Sequence, residues 1–195
     1  GDSLKLIVPK SITKYRVPKI KVLGVETEKA RKYTIHVLSI IGPWFTIDNA
    51  LKNKLLYLLR LLLPTLSMHA STLLITIIFK GDLITYDINY RNISLVLEKI
   101  QILTPVKSVE EIRFPLFTKA DVAYVISDPY TLLQITPKLH DHVLTDFITL
   151  IILSPTPPFY TESSINVMKR ILNQYYNRIH ETSRRLWRHS EVLTV

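Results

Sequence analysis

Tyr33 to Ile41 reads YTIHVLSII and runs into Gly42-Pro43. Its β-branched and apolar residues fill both alternating sets of positions, the pattern of a strand buried on both faces, and the Gly-Pro pair ends it in a turn. The pattern recurs at Val122 to Ser127 (VAYVIS), closed by Asp128-Pro129, and at Phe147 to Leu153 (FITLIIL), closed by Ser154-Pro155. Strands of this kind belong to parallel sheets whose two faces are both covered.

Helical patterns separate them. Ile47 to Leu63 is dense in leucine nearly all round, is capped by Thr46 or Asp48, and is expected to stop at Pro64. Ser71 to Phe79 and Leu83 to Ile88 flank Lys80-Gly81-Asp82, the connection of a β-hairpin. Asn92 to Leu103 reads as a helix and Val109 to Phe114 as a weak strand, and the helix after Asp128 is expected to break at Pro137. From Ser163 or Ser164 a long helix sets Ile165, Met168, Leu172, Tyr175, Ile179 and Leu186 on one face. The fold class that follows is α/β: three layers, a mostly parallel mixed sheet with helices on both faces, a basic N-terminal arm and a long C-terminal helix. Residues 1–32 are expected to form the arm or an edge hairpin, and 33–195 a single α/β domain ending in the long basic helix.

Composition narrows the chemistry. The chain has 195 residues, no cysteine and only 4 glycines, which excludes thiolate metal sites, a cysteine nucleophile and disulfides, and makes phosphate-wrapping glycine loops scarce. Leu61 to Phe79 carries no charge, but its Pro64, His69 and hydroxyl residues fit a helix end, a turn and a strand better than a membrane span. No apolar signal-like stretch follows Gly1, and a processed start and a cytoplasmic protein with no membrane association are expected. Abundant Ile, Leu, Lys, Arg and Tyr suit a thermophile.

Charge is divided unevenly. Residues 1–34 hold nine bases and three acids, 35–165 hold ten and eleven, and 166–195 hold six and two, so the net charge of +9 sits at the two ends. Lys10, Lys14, Arg16, Lys19 and Lys21 line the arm, and Lys169, Arg170, Arg178, Arg184, Arg185 and Arg188 follow near the other end, with Tyr175, Tyr176 and Trp187 among them. Bases neutralise phosphates and aromatic rings stack on nucleobases, so these eleven residues are the candidate nucleic-acid contacts. The alternative is a solvated helix face with Tyr175 and Trp187 in the core.

In open α/β sheets ligands bind at the carboxyl ends of strands, which here read Gly42-Pro43-Trp44, Asp128-Pro129-Tyr130 and Ser154-Pro155-Thr156. The order resembles the RecA/RadA-type ATPase core, in which it would put Asp128 at the acidic Walker B position and Ser154 or Thr156 near the sensor. The resemblance covers roughly residues 33–154 and departs at the phosphate loop. Gly42-Pro43-Trp44-Phe45-Thr46-Ile47-Asp48 lacks the Gly-Lys-Ser/Thr that cradles phosphate and Mg²⁺. The resemblance therefore implies a core without ATP hydrolysis. Asp128 has a second reading, as a helix cap before Pro129.

Other chemistries are weaker. His140-Asp141-His142 with Asp146 offers ligand types for a metal but at a spacing no metal motif uses, and a solvated turn suits it better, so no metal and no cofactor are expected. His36, within an apolar strand, reads as a hydrogen-bonded core histidine. The expected function is a non-catalytic nucleic-acid-associated accessory protein. One alternative is a metal-dependent nuclease or phosphate-processing enzyme that gathers Asp82, Asp87, Asp128 and Asp146. The other is an obligate protein-binding subunit that docks through the arm, the last helix or Pro155 to Pro158.

Overall fold

A computed structural model describes residues 33–115, 118–156 and 162–195, and the backbone of two short strands before them, β1 (Lys21–Val22) and β2 (Val25–Glu26), which pair antiparallel. Lys10, Lys14, Arg16 and Lys19 lie outside the described residues, as do Pro157 and Pro158.

The main sheet has six strands: β3 (Tyr33–Ile40), β4 (Ala70–Phe79), β5 (Asp82–Asp87), β6 (Thr118–Ser127), β7 (Val143–Ile152) and β8 (Ser190–Thr194). Their order is β5-β4-β3-β6-β7-β8, and every neighbouring pair is parallel except β4 with β5. That pair closes through Lys80 and Gly81, since Phe79 faces Asp82. Gly81 has φ +75°, the left-handed backbone that a two-residue hairpin loop demands.

Among the described residues there are five α-helices: α1 (Trp44–Ile47), α2 (Asn49–Ser67), α3 (Ile93–Ile102), α4 (Pro129–His142) and α5 (Glu162–Leu186). Alternation along the strands sorts them into layers. Ile35, Val37, Ile75, Ile77, Val122, Tyr124 and Ile126 point to one face, where the leucines of α2 and the Ile93, Val96, Leu97 and Ile100 stripe of α3 cover them. Leu38, Ile40, Ala123, Val125, Ile148, Leu150 and Ile152 point to the other, against Leu132, Ile135 and Leu139 of α4 and Ile179 of α5. The three-layer α/β architecture is therefore as the apolar runs imply.

Five local expectations are corrected. Helix α2 runs through Pro64 to Ser67, and α4 runs through Pro137 to His142. Each proline removes one backbone donor, but Leu62, Leu63 and Leu66 on α2 and Ile135 and Leu139 on α4 are buried and hold the turns around it. Val109–Glu111 is a turn of 3₁₀ helix instead of a strand. The Lys107 N–H donates to Glu111 Oε2, and the apolar Val109 and Ile112, three residues apart, both pack on the core. His140-Asp141-His142 is the last turn of α4, not a loop, and β7 begins directly at Val143. Finally, α5 is followed by β8, so Arg188 lies beyond the helix in the connection to a strand.

Among the described residues no helix is long and apolar enough to cross a membrane. The uncharged stretch 61–79 divides into the end of α2, a turn and β4.

Candidate nucleic-acid interface

Helix α2 leaves β3 for one face of the sheet and α4 leaves β6 for the other. The crevice of this doubly wound order therefore lies between the carboxyl ends of β3 and β6, the place where such sheets bind ligands. The chain fills it with its own side chains. Asp128 is fully buried as the N-cap of α4. Its carboxylate accepts the Thr131 N–H at 2.8 Å and the Thr131 hydroxyl at 2.6 Å. Burial pushes the Asp128 carboxyl above its ordinary pKa, and the bonds from Thr131 oppose the shift. Ser127 Oγ donates to the Ile40 carbonyl at 2.7 Å, tying the ends of β6 and β3 together. Gly42 packs so closely that an added Cβ would overlap both Asp128 Oδ2 and Thr131 Oγ1.

The start of α2 is closed in the same way. Asp48 caps it, accepting Ala50 N–H at 2.9 Å on one oxygen and Thr156 N–H at 2.6 Å on the other. Lys54 Nζ donates to the Ser154 carbonyl, and Ser154 Oγ bonds the Tyr176 hydroxyl at 2.8 Å, which pins α5 to the end of β7. A phosphate needs free N–H donors at a helix start. At α2 and α4 those donors face the chain's own carboxylates.

The four aspartates of the enzyme alternative do not converge. Asp82 sits at the β4–β5 hairpin, Asp87 at the far end of β5, Asp128 at the carboxyl end of β6, and Asp146 in the first half of β7. Among the described residues no group of three or more His, Asp or Glu side chains is placed to hold a metal ion. His140 lies 3.9 Å from its neighbour Asp141 and edge-on to Trp187, while His142 stacks on Phe114.

The basic residues near the carboxyl end, Arg188 apart, share one helix. Helix α5 buries Ile179 and Ser183 against the core, and Lys169, Arg170, Arg178, Arg184 and Arg185 are all exposed on its remaining surface, with Arg188 exposed just past its end. Asn166, Asn173, Gln174 and Asn177 are exposed on the same helix, which carries only Glu162 and Glu181 as acids. Among the described residues none of these six bases is in an ion pair. With 25 residues the helix spans about 37 Å at 1.5 Å per residue. Of the flanking aromatics, Trp187 is in the core at 6% exposure, and Tyr175 and Tyr176 are half-buried.

One feature was not visible from spacing. Trp44, four residues beyond β3, stacks on Tyr130, two residues beyond α4's cap, with centroids 5.9 Å apart and planes 4° apart, and Tyr175 of α5 approaches it at 6.2 Å. The order of residues after each strand names both rings, but only the folded chain brings α5 to them. The chain matches no protein-family model and no curated protein sequence.

Proposed function

We propose that this doubly wound α/β protein is a non-catalytic, nucleic-acid-associated accessory protein of the cytoplasm, with a core of the RecA/RadA type that holds no nucleotide at its phosphate loop. The observation that carries the reading is the exposed face of α5: five bases along one helix, a sixth just beyond it, and no acidic partner for any of them among the described residues. Six such charges in contact with duplex DNA release counterions and give a log–log salt slope of about −5. The reading without a bound nucleotide is supported by the segment after β3, where Gly42 packs on Asp128 and Thr131, and Asp48 and Asp128 take up N–H donors at the starts of α2 and α4.

The test is fluorescence anisotropy with labelled single-stranded DNA, duplex DNA and RNA over a salt series, with Mg²⁺ and Mn²⁺ added in parallel and the products resolved on a gel. Salt-sensitive binding with intact substrate is the expected result. Metal-dependent cleavage would make the protein an enzyme, and no binding at low salt would leave the basic face without this role.

A further inference from the structure

Beside the basic face, the first half of α5 and the α1 turn enclose an open groove of about 630 Å³. Trp44 lines it from α1, and Val167, Met168, Ile171, Leu172 and Tyr175 line it from α5, with Ser163 and Ser164 at the start of the helix. Val167 and Ile171 are 55% and 42% exposed, an unusual apolar pair on a helix that is otherwise covered with amides and charges. We propose that this groove is a stacking site for an unpaired base of single-stranded nucleic acid, a reading that rests on the proposed nucleic-acid function and adds a preference for single strands.

Three observations select a base with its phosphate. First, the wall is aromatic and held in place. Trp44 is fixed by its near-parallel stack on Tyr130 and by Tyr175, so a flat ligand meets a platform whose ordering cost has been met during folding. Second, the lining has the apolar character that accepts the π-face of any base, and base–aromatic stacking is indifferent to sequence. Third, charge sits where the backbone of such a nucleotide would run. Arg170 is one turn from Val167, and Arg178 is two turns from Ile171 on the same side of α5, about 10 Å along the axis. An apolar protein segment would fill the groove but leave both guanidinium groups unanswered. A duplex would answer them and leave the groove empty, because its bases are stacked within the helix.

The chain's two tryptophans make the test direct, because Trp187 is buried in the core and Trp44 lines the groove. The Trp187→Phe protein, with Trp44 as its sole tryptophan, is titrated with a labelled oligo-dT strand and with a duplex of equal length. Trp emission and label anisotropy are read together. Oligo-dT is expected to quench Trp44 with the same midpoint as the anisotropy, whereas the duplex binds without quenching. Trp44→Ala is expected to weaken oligo-dT binding by roughly 5- to 100-fold, the worth of one stacked base, with duplex binding nearly unchanged. The milder Ile171→Gln, at an exposed position, is expected to weaken oligo-dT binding in the same selective way without threatening the fold. Wild-type protein gives the same readout over a constant Trp187 background if Trp187→Phe fails to fold. Binding of both strands with no quenching and no selective loss in either variant overturns the stacking site and leaves the basic face intact. Failure of every nucleic acid to bind overturns both readings. Concentration-dependent self-association abolished by Ile171→Gln would give the groove to a second copy of the chain and also overturn the proposal.

Discussion

Gly42 at the end of β3 fits against the carboxylate of Asp128 at the end of β6, with no room between them for a methyl group. The glycine is required by close approach, since its backbone is not in the left-handed region. Gly42→Ala is therefore expected to push apart the two central strands or break the Asp128–Thr131 pair. Overpacking of this kind costs about 1–3 kcal/mol, a fall in Tm of very roughly 2–10 °C for a chain of this size. Thermal unfolding followed by circular dichroism measures it, and an unchanged Tm would show that the crevice is looser than these contacts require.

Asp128 itself separates two roles of a carboxylate. Asp128→Ala leaves the Thr131 N–H and hydroxyl without their partner and removes the cap of α4, a loss of about 2–4 kcal/mol. Asp128→Asn keeps an acceptor for the N–H and can donate to the Thr131 oxygen, so it is expected to stay within about 1 kcal/mol of wild type. The pH dependence follows from the raised pKa. Folding favours the protonated acid, so the contribution is full below the ordinary carboxylate range and is lost as pH rises through the folded-state value. Denaturant titrations should show Asp128→Asn gaining on wild type as pH is raised from acid to neutral.

The contrast between Asp128 and the end of the chain shows what was legible beforehand. The apolar runs of β3, β6 and β7 are visible because helices cover both their faces, so apolar residues fill both alternating sets of positions along most of each strand. Asp128-Pro129 signals a cap because those residue types do so locally. Strand β8, Ser190–Thr194, gives no such signal: it lies at an edge, half-exposed, and is held by backbone bonds such as Ser154 N–H to the Val195 carbonyl. Pro64 and Pro137 mislead for the opposite reason, since their local preference is overridden by buried neighbours on the same turns. The basic face of α5 is legible because it is one helix. The groove is not, because Trp44 and Tyr175 meet only after the sheet has formed.

Pro137 gives a direct measure of that override. It is exposed in the interior of α4 and cannot donate to the Leu133 carbonyl. Restoring the donor with Pro137→Ala is expected to stabilise the protein by about 1–2 kcal/mol, the helix-interior penalty of proline less the entropy it removes from the unfolded chain. A raised denaturation midpoint at unchanged slope would be the signature, and a lowered midpoint would mean the ring packs in a way its exposure does not show.

His36 makes stability fall in acid. It is 3% exposed, and its Nε2 lies 2.8 Å from Thr76 Oγ1, which in turn bonds Thr85 Oγ1 at 2.8 Å. Nδ1 has no partner among the described residues, so the neutral tautomer with its proton on Nε2, donating to Thr76, leaves only a lone pair unmet. Burial lowers the pKa to about 4 from the ordinary histidine range. The unfolded chain therefore takes up a proton first: the stability is fully present above about pH 6.5 and is lost as pH falls towards 4, by roughly 3 kcal/mol in total. His36→Gln, which keeps a partner for Thr76 and does not titrate, should flatten that part of the stability curve. An equal slope in both proteins would place the acid sensitivity elsewhere.

The basic face of α5 makes a quantitative demand on binding. Arg178, Arg184 and Arg185 are exposed and out of the core, so replacing all three by Ala should leave the melting curve unchanged. Each phosphate contact contributes about 0.9 to the log–log salt slope on duplex DNA, and the triple variant should therefore lose about 2.7 of it. The matched control replaces Lys80, Lys99 and Lys107, exposed bases elsewhere on the surface, and removes the same net charge. If nonspecific attraction by the whole +9 chain drove binding, both variants would weaken it alike. A slope reduced only in the α5 variant assigns the contacts to the helix, because the change in net charge is identical and only the position differs.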